Sequence, residues 1–118
     1  MLETYARVAV LPVPQVRDIG LLESALQRAN LTIYGNEVYR GPLVKVAAVI
    51  DSISRNHPLL DGNKRLAVLT ADMLLLANGY RYVGGDREDD LFVALAEHRL
   101  ELPEIAERLS GLWVIRGA

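Results

Sequence analysis

The sequence predicts a mainly α-helical fold, a small helical bundle that carries one β-hairpin flap. Three observations lead there. Residues 43–55 and 66–77 are apolar on nearly every helical face, which marks helices enclosed by other helices. The polar run between them is short, so the two form a helical hairpin at the centre of the fold. Residues 31–40 break the pattern, because Ile33, Tyr34, Val38 and Tyr39 flank the turn-type dipeptide Gly35-Asn36.

Taken in order, residues 2–11 are apolar but short, and Pro12 and Pro14 end any helix there. This gives a short helix or an irregular arm. Asp18 then precedes Leu21, Leu22, Ala25, Leu26 and Ala29, which share one helical face, and Asp18 is placed to cap its start. The 31–40 flap follows. Gly41-Pro42 opens the first central helix, with proline suited to the first turn. Asn78-Gly79 closes the second. Residues 80–83 suit one short strand ended by Gly84-Gly85. Leu91, Phe92, Leu95 and Ala96 sit at helical spacing. Pro103 starts a last helix with Ile105, Ala106 and Leu109 inward and Gly111 as its stop, and Trp113 covers the edge of the core.

A chain of 118 residues, 51% hydrophobic, is expected to be one domain spanning 1–118 around one core. With 24% charged residues and a net charge of -2, neither disorder nor direct nucleic-acid binding is expected. The chain has no cysteine, which excludes a disulfide framework and a thiolate zinc site. No apolar run approaches the ~20 residues of a membrane helix, and the start lacks the pattern of a signal peptide. A cytoplasmic protein is expected.

The chemistry is concentrated in the loop between the central helices, Asn56-His57-Pro58-Leu59-Leu60-Asp61-Gly62-Asn63-Lys64-Arg65. A helix N-terminus offers free N–H groups and a positive dipole end, and so attracts phosphate. Gly62 lets backbone approach a ligand closely. Lys64 and Arg65 add charged contacts to phosphate oxygens. Asn63 either bonds a phosphate or holds the loop. Asp61 is an oxygen ligand for a hard cation such as Mg2+. An imidazole, with an ordinary pKa near ~6.5, suits a general base, and His57 supplies one.

Each residue also has a plainer reading. Loop histidines are more often structural than catalytic, Asp before Gly-Asn is usually a turn or cap, and Lys-Arg usually marks a solvated face. Two cations at the positive end of a helix are unfavourable, however, unless an anion sits there. That misplacement, with all these groups in one short loop, favours function. Outside the loop, His98 reads as a surface or helix-end cation and Asp72 as a paired polar group within the bundle.

The run from His57 to Arg65 resembles the Fic/Doc signature, His-x-Phe-x-Asp/Glu-Gly/Ala-Asn-Gly/Lys-Arg, with Leu59 in place of phenylalanine. The flanking runs, from Arg17 to Leu26 and from Leu75 to Tyr80, are similar too, and the likeness covers residues 17–112. Fic proteins that transfer AMP have glycine where this chain has Lys64, and a second arginine where it has Val68. The lysine resembles the Doc-type (death-on-curing) toxins.

That resemblance implies transfer of the γ-phosphate of ATP to a hydroxyl of a protein target, elongation factor Tu in that branch, with a block of translation. AMP transfer, or a catalytically weak binding or regulatory module, are the alternatives. It implies His57 as the base, Asp61 as the Mg2+ ligand, and Gly62, Asn63, Lys64 and Arg65 as phosphate-binding residues, with Arg55 as a further contact. The flap residues Ile33, Tyr34, Gly35 and Asn36 would dock the target by main-chain pairing. No serine or threonine starts the inhibitory Ser/Thr-x-x-x-Glu-Gly/Asn motif of some Fic proteins, so inhibition in trans by a Phd-like antitoxin, bound in a groove near the loop, is expected.

Overall fold

The computed structural model describes residues 18–28, 32–33, 36–37, 39–85 and 87–117. The arm expected over residues 2–11 and the flap residues Tyr34 and Gly35 lie outside that set. The elements run α1 (Ile19–Gln27), β1 (Thr32–Ile33), β2 (Asn36–Glu37), α2 (Pro42–Asn56), α3 (Asn63–Ala77), β3 (Tyr80–Tyr82), α4 (Arg87–Ala96), α5 (Leu102–Leu112) and β4 (Trp113–Ile115). The fold is mainly helical, as the periodicity predicts.

Helix α2 is the axis of the molecule. Gly41, at a φ of 85°, turns the chain into it, and Pro42 fills the first turn, where its missing N–H costs nothing. Residues 46–54 are then buried without a break, and α1, α3, α4 and α5 all pack on this helix. Ile50 and Ile53 are fully enclosed, with Leu66 and Leu75 of α3, Leu91 of α4 and Ile105 and Leu109 of α5. Burying such side chains contributes about 1.5–3 kcal/mol each.

Helix α3 starts at Asn63, three residues before its apolar run, and buries a stripe of Leu66, Ala67, Thr70, Ala71 and Leu75. Leu76, expected inside, is exposed, because it lies off that stripe. The Asp18 carboxylate caps α1, accepting from Leu21 N at 3.1 Å.

Three sequence expectations change. In the flap, Ile33 pairs with Asn36 and Thr32 with Glu37, so Asn36 is a strand residue and not part of a turn dipeptide. Gly111 does not stop α5, which runs on to Leu112. The strand expected over 80–83 is β3, and it has an unforeseen antiparallel partner in β4. Tyr82 pairs with Trp113, their rings edge to face with centroids 5.3 Å apart. Trp113 is buried there, closing the core as expected.

Candidate active site

The loop that joins α2 to α3 is held at both ends and in its middle. His57 caps α2 in the left-handed region (φ 47°, ψ 61°), and its N–H still reaches Ile53 O at 3.2 Å. Pro58 cannot continue the helix. It is buried, and its carbonyl accepts from Asp18 N at 3.2 Å, which ties the loop to α1. Leu59 plugs into the core at 1% exposure, so leucine fills the anchor position. Asn63 clamps it: Oδ1 accepts from Leu59 N and Nδ2 donates to Leu59 O, both at 3.0 Å. This geometry shows Asn63 holding the loop, one of its two expected roles.

The same Nδ2 lies 3.4 Å from His57 Nδ1. At that length the contact orients the ring without fixing its tautomer.

Helix α3 opens on Gly62 at a φ of 88°, a left-handed conformation that glycine adopts at no steric cost. Among the described residues no side chain caps its N-terminus. Asp61 is exposed, and its Oδ1 accepts from Gly62 N at 2.8 Å. Lys64 and Arg65 stand exposed in the first turn. Lys64 Nζ lies 3.1 Å from Asp89 Oδ1 on α4, whereas Arg65 makes no ion pair among the described residues.

Arg55 is more committed than the sequence implied. Its Nε bonds Asp51 Oδ1 at 2.8 Å and its Nη2 donates to Leu100 O at 3.3 Å. The Asp51 hydrogen bond, then its charge, hold the guanidinium above its already high ordinary pKa. Asp51 is 6% exposed and also lies 3.5 Å from Arg28 Nη1. Arg28 in turn bonds Tyr39 Oη at 2.9 Å and covers its ring at 5.3 Å. A polar brace therefore runs from Tyr39, in the 31–40 segment, to the end of α2. Sequence reasoning missed Asp51. Its signal was a carboxylate one helical turn before Arg55 on an otherwise apolar helix.

His98 is exposed and stands just after the end of α4, as expected, and its ring meets that of His57 edge to face, with centroids 6.3 Å apart.

With this geometry in hand, comparison with known proteins is informative. A family model described as "Fic/DOC family" matches residues 1–75. The chain belongs to the Fic/DOC family. It is also similar to Toxin Doc of Mycolicibacterium smegmatis (strain ATCC 700084 / mc(2)155), with 40% identity over 100 residues, which cover 82% of this chain and 77% of that protein.

In this Fic/DOC chain Val68 is half-buried and packs against the core, so its place on α3 supplies no phosphate clamp. No cluster of three His, Asp or Glu side chains able to hold a metal exists among the described residues. No helix among the described residues is long and apolar enough to cross a membrane. Ile33 and Asn36 of the flap are paired strand residues, and Tyr34 and Gly35 lie outside the described set. An open groove lined by Leu26, Pro42, Val46 and Leu74 lies at the far end of the α2–α3 hairpin from the loop.

Asp72 of α3 proves to be paired with a second acid, Glu88 of α4. Burial, with the neighbouring Asp72 charge and their hydrogen bond, pushes the Glu88 carboxyl up to about 7. Burial raises Asp72 as well, against the pull of its hydrogen bond with Glu88.

Proposed function

We propose that this chain is a single-domain toxin of a toxin–antitoxin pair, a phosphotransferase that moves the γ-phosphate of ATP onto a protein hydroxyl. Elongation factor Tu is the expected target, and a block of translation is the expected result. The observation that carries this reading is the N-terminus of α3, uncapped by any described side chain, with Lys64 and Arg65 in its first turn and His57 across a six-residue turn of chain. Cations at that end are destabilising unless an anion joins them, and the likeness to Toxin Doc supports a nucleotide as that anion.

In this reading the Gly62, Asn63, Lys64 and Arg65 backbone and the two cationic side chains hold the phosphates. Lys64 exchanges Asp89 for phosphate. His57 takes the proton of the target hydroxyl as its oxygen attacks the γ-phosphorus. The bond from that phosphorus to the bridging oxygen breaks, and ADP leaves. Arg55 acts through the Asp51 brace and orients the loop.

Asp61 fits Mg2+, which commonly takes one carboxylate and completes its shell with phosphates and water. When bound, the ion would neutralise charge developing on the transferred group. The flap, with Ile33, Tyr34, Gly35 and Asn36, would dock an extended target segment. A Phd-like antitoxin would inhibit in trans in the cytoplasm.

The test is incubation with Mg2+, elongation factor Tu and either γ-labelled or α-labelled ATP. Label from the γ position, lost in His57→Ala, is expected. Label from the α position would replace this reading with AMP transfer, and no label with no growth arrest on expression would favour a binding module.

A further inference from the structure

Asp51 is the one acidic residue of α2, and it lies within the buried stretch of that helix at 6% exposure. A carboxylate there loses its hydration, and replacing a buried ion pair by apolar side chains is often neutral or stabilising. The stability of α2 alone therefore does not account for it. What the carboxylate does is face two ways. Oδ1 accepts from Arg55 Nε at 2.8 Å, one turn nearer the loop, and Oδ2 lies 3.5 Å from Arg28 Nη1, just past the end of α1.

Arg28 is the residue that ends α1, with its N–H bonded to Ala25 O. Its Nη1 donates to Ala48 O at 3.4 Å and its Nε donates to Tyr39 Oη at 2.9 Å. A guanidinium is a rigid planar fork, so holding one arm fixes the direction of the rest. With Nη1 set by Asp51 and Ala48 on α2, Nε is aimed at Tyr39.

The flap needs an anchor of this kind. Its strands are two residues each, Thr32–Ile33 and Asn36–Glu37, and a lone two-stranded hairpin is marginal in water. Tyr39 follows β2 by two residues, and Arg28 holds both its hydroxyl and its ring, with Cζ 5.3 Å from the ring centroid. The other end of α1 is tied to the loop, through Asp18 N on Pro58 O. Helix α1 thus meets the loop at its start and the flap stem at its end, and Asp51 joins that end to α2.

We propose that Asp51 is a positioning residue for the protein substrate: its two carboxylate oxygens hold the flap stem, through Arg28 and Tyr39, and the end of α2, through Arg55, in one frame, so that a segment docked on the flap meets the loop in place. This rests on the reading of the flap as the docking element and of the loop as the phosphate-transfer site. Phosphoryl transfer depends on placing the acceptor oxygen in line with the γ-phosphorus, and a loose flap lowers the share of docked substrate in that place.

The experiment labels elongation factor Tu from γ-labelled ATP with the full chain, Tyr39→Phe, Asp51→Asn and the double variant. Tyr39→Phe keeps the ring and removes the hydroxyl that accepts from Arg28. For it we expect a nearly unchanged Tm, an unchanged KM for ATP, and kcat/KM for the protein reduced roughly tenfold, the scale of one hydrogen bond to a charged group. Asp51→Asn keeps the shape and removes the charge that both arginines share. It should lower kcat/KM for the protein at least as far, and the double variant should fall no further, because both changes cut one path. A wild-type kcat/KM in Tyr39→Phe, or additive losses in the double variant, overturns the proposal. Should Asp51→Asn fail to fold, Asp51→Glu, which keeps the charge and displaces the carboxylate, takes its place with the same expected losses. A second readout needs no catalysis. The NMR cross-peak between Arg28 Nε–H and the Tyr39 ring, present in the wild type, should vanish in the folded Asp51 variant, and its retention overturns the proposal as well. If the wild type labels no protein with either nucleotide, the functional reading falls, while the cross-peak still decides whether Asp51 sets the flap stem.

Discussion

Asn63 holds both backbone groups of Leu59 at once, accepting from its N–H and donating to its C=O, each at 3.0 Å. This amide clamp keeps the loop's anchor in the core. Asn63→Ala would leave two polar backbone groups without partners beside a buried side chain, at about 1–3 kcal/mol for an unsatisfied group. Urea denaturation should show that loss, with protein labelling abolished. Asn63→Asp, which keeps the acceptor and loses the donor, should fall between.

Leu59 is 1% exposed, so the space below the loop is closed around leucine. Leu59→Ala should cost about 2–5 kcal/mol. Leu59→Phe, which matches the wider signature, should destabilise this core by about 1–3 kcal/mol through overpacking. A thermal melt in which the phenylalanine variant outlasts the wild type would contradict this.

The Lys64–Asp89 pair is exposed on both sides, at 47% and 75% for the side chains, so it adds at most about 1 kcal/mol to stability. Its larger effect falls on phosphate binding. Asp89→Asn releases Lys64 and removes a negative charge beside it, so KM for ATP should drop severalfold while Tm barely moves. Steady-state kinetics at low salt, where screening is weakest, reads this directly. A raised KM would count against Lys64 as a phosphate ligand.

Glu88 gives a pH prediction with a definite sign. Its carboxyl rises from an ordinary 4.5 to about 7 on folding, first from burial and then from Asp72. The folded state therefore binds more protons than the unfolded state between those values, and stability falls as pH rises through that window. Protonated at low pH, the pair is comfortable; near pH 8 two carboxylates face each other across α3 and α4. Glu88→Gln should raise Tm at pH 8 more than at pH 5, and the difference between variant and wild type should level off above pH 7. A difference that stays constant from pH 5 to pH 8 would rule out this pair as its source.

Much of the site was legible because its parts are contiguous. The signature from His57 to Arg65, the Asp18 cap and the Pro42 start are local, and local chemistry is written in sequence order. Asn63 was open between two roles, and only its distances to Leu59 show that it holds the loop. Arg55 was recognised as important, but its partner Asp51 was not, because a buried carboxylate on an apolar helix reads as an ordinary polar interruption. His98 was set aside as a surface cation, since nothing near it in the chain hints at His57.

By itself, then, the sequence determined the helical class, the central α2–α3 hairpin, the flap and the loop that carries the candidate site. Each depends on spacing of 2 or 3.6 residues, or on caps within a turn. Only the tertiary structure decided the β3–β4 pairing, the Arg28–Asp51–Arg55 brace, the Asp72–Glu88 pair and the His57–His98 contact. These join residues far apart in the chain, as the Ser54–Leu95 bond does across 41 positions. Their partners are chosen by how the helices pack around α2, and packing depends on the shapes of all the side chains together, which no local pattern encodes.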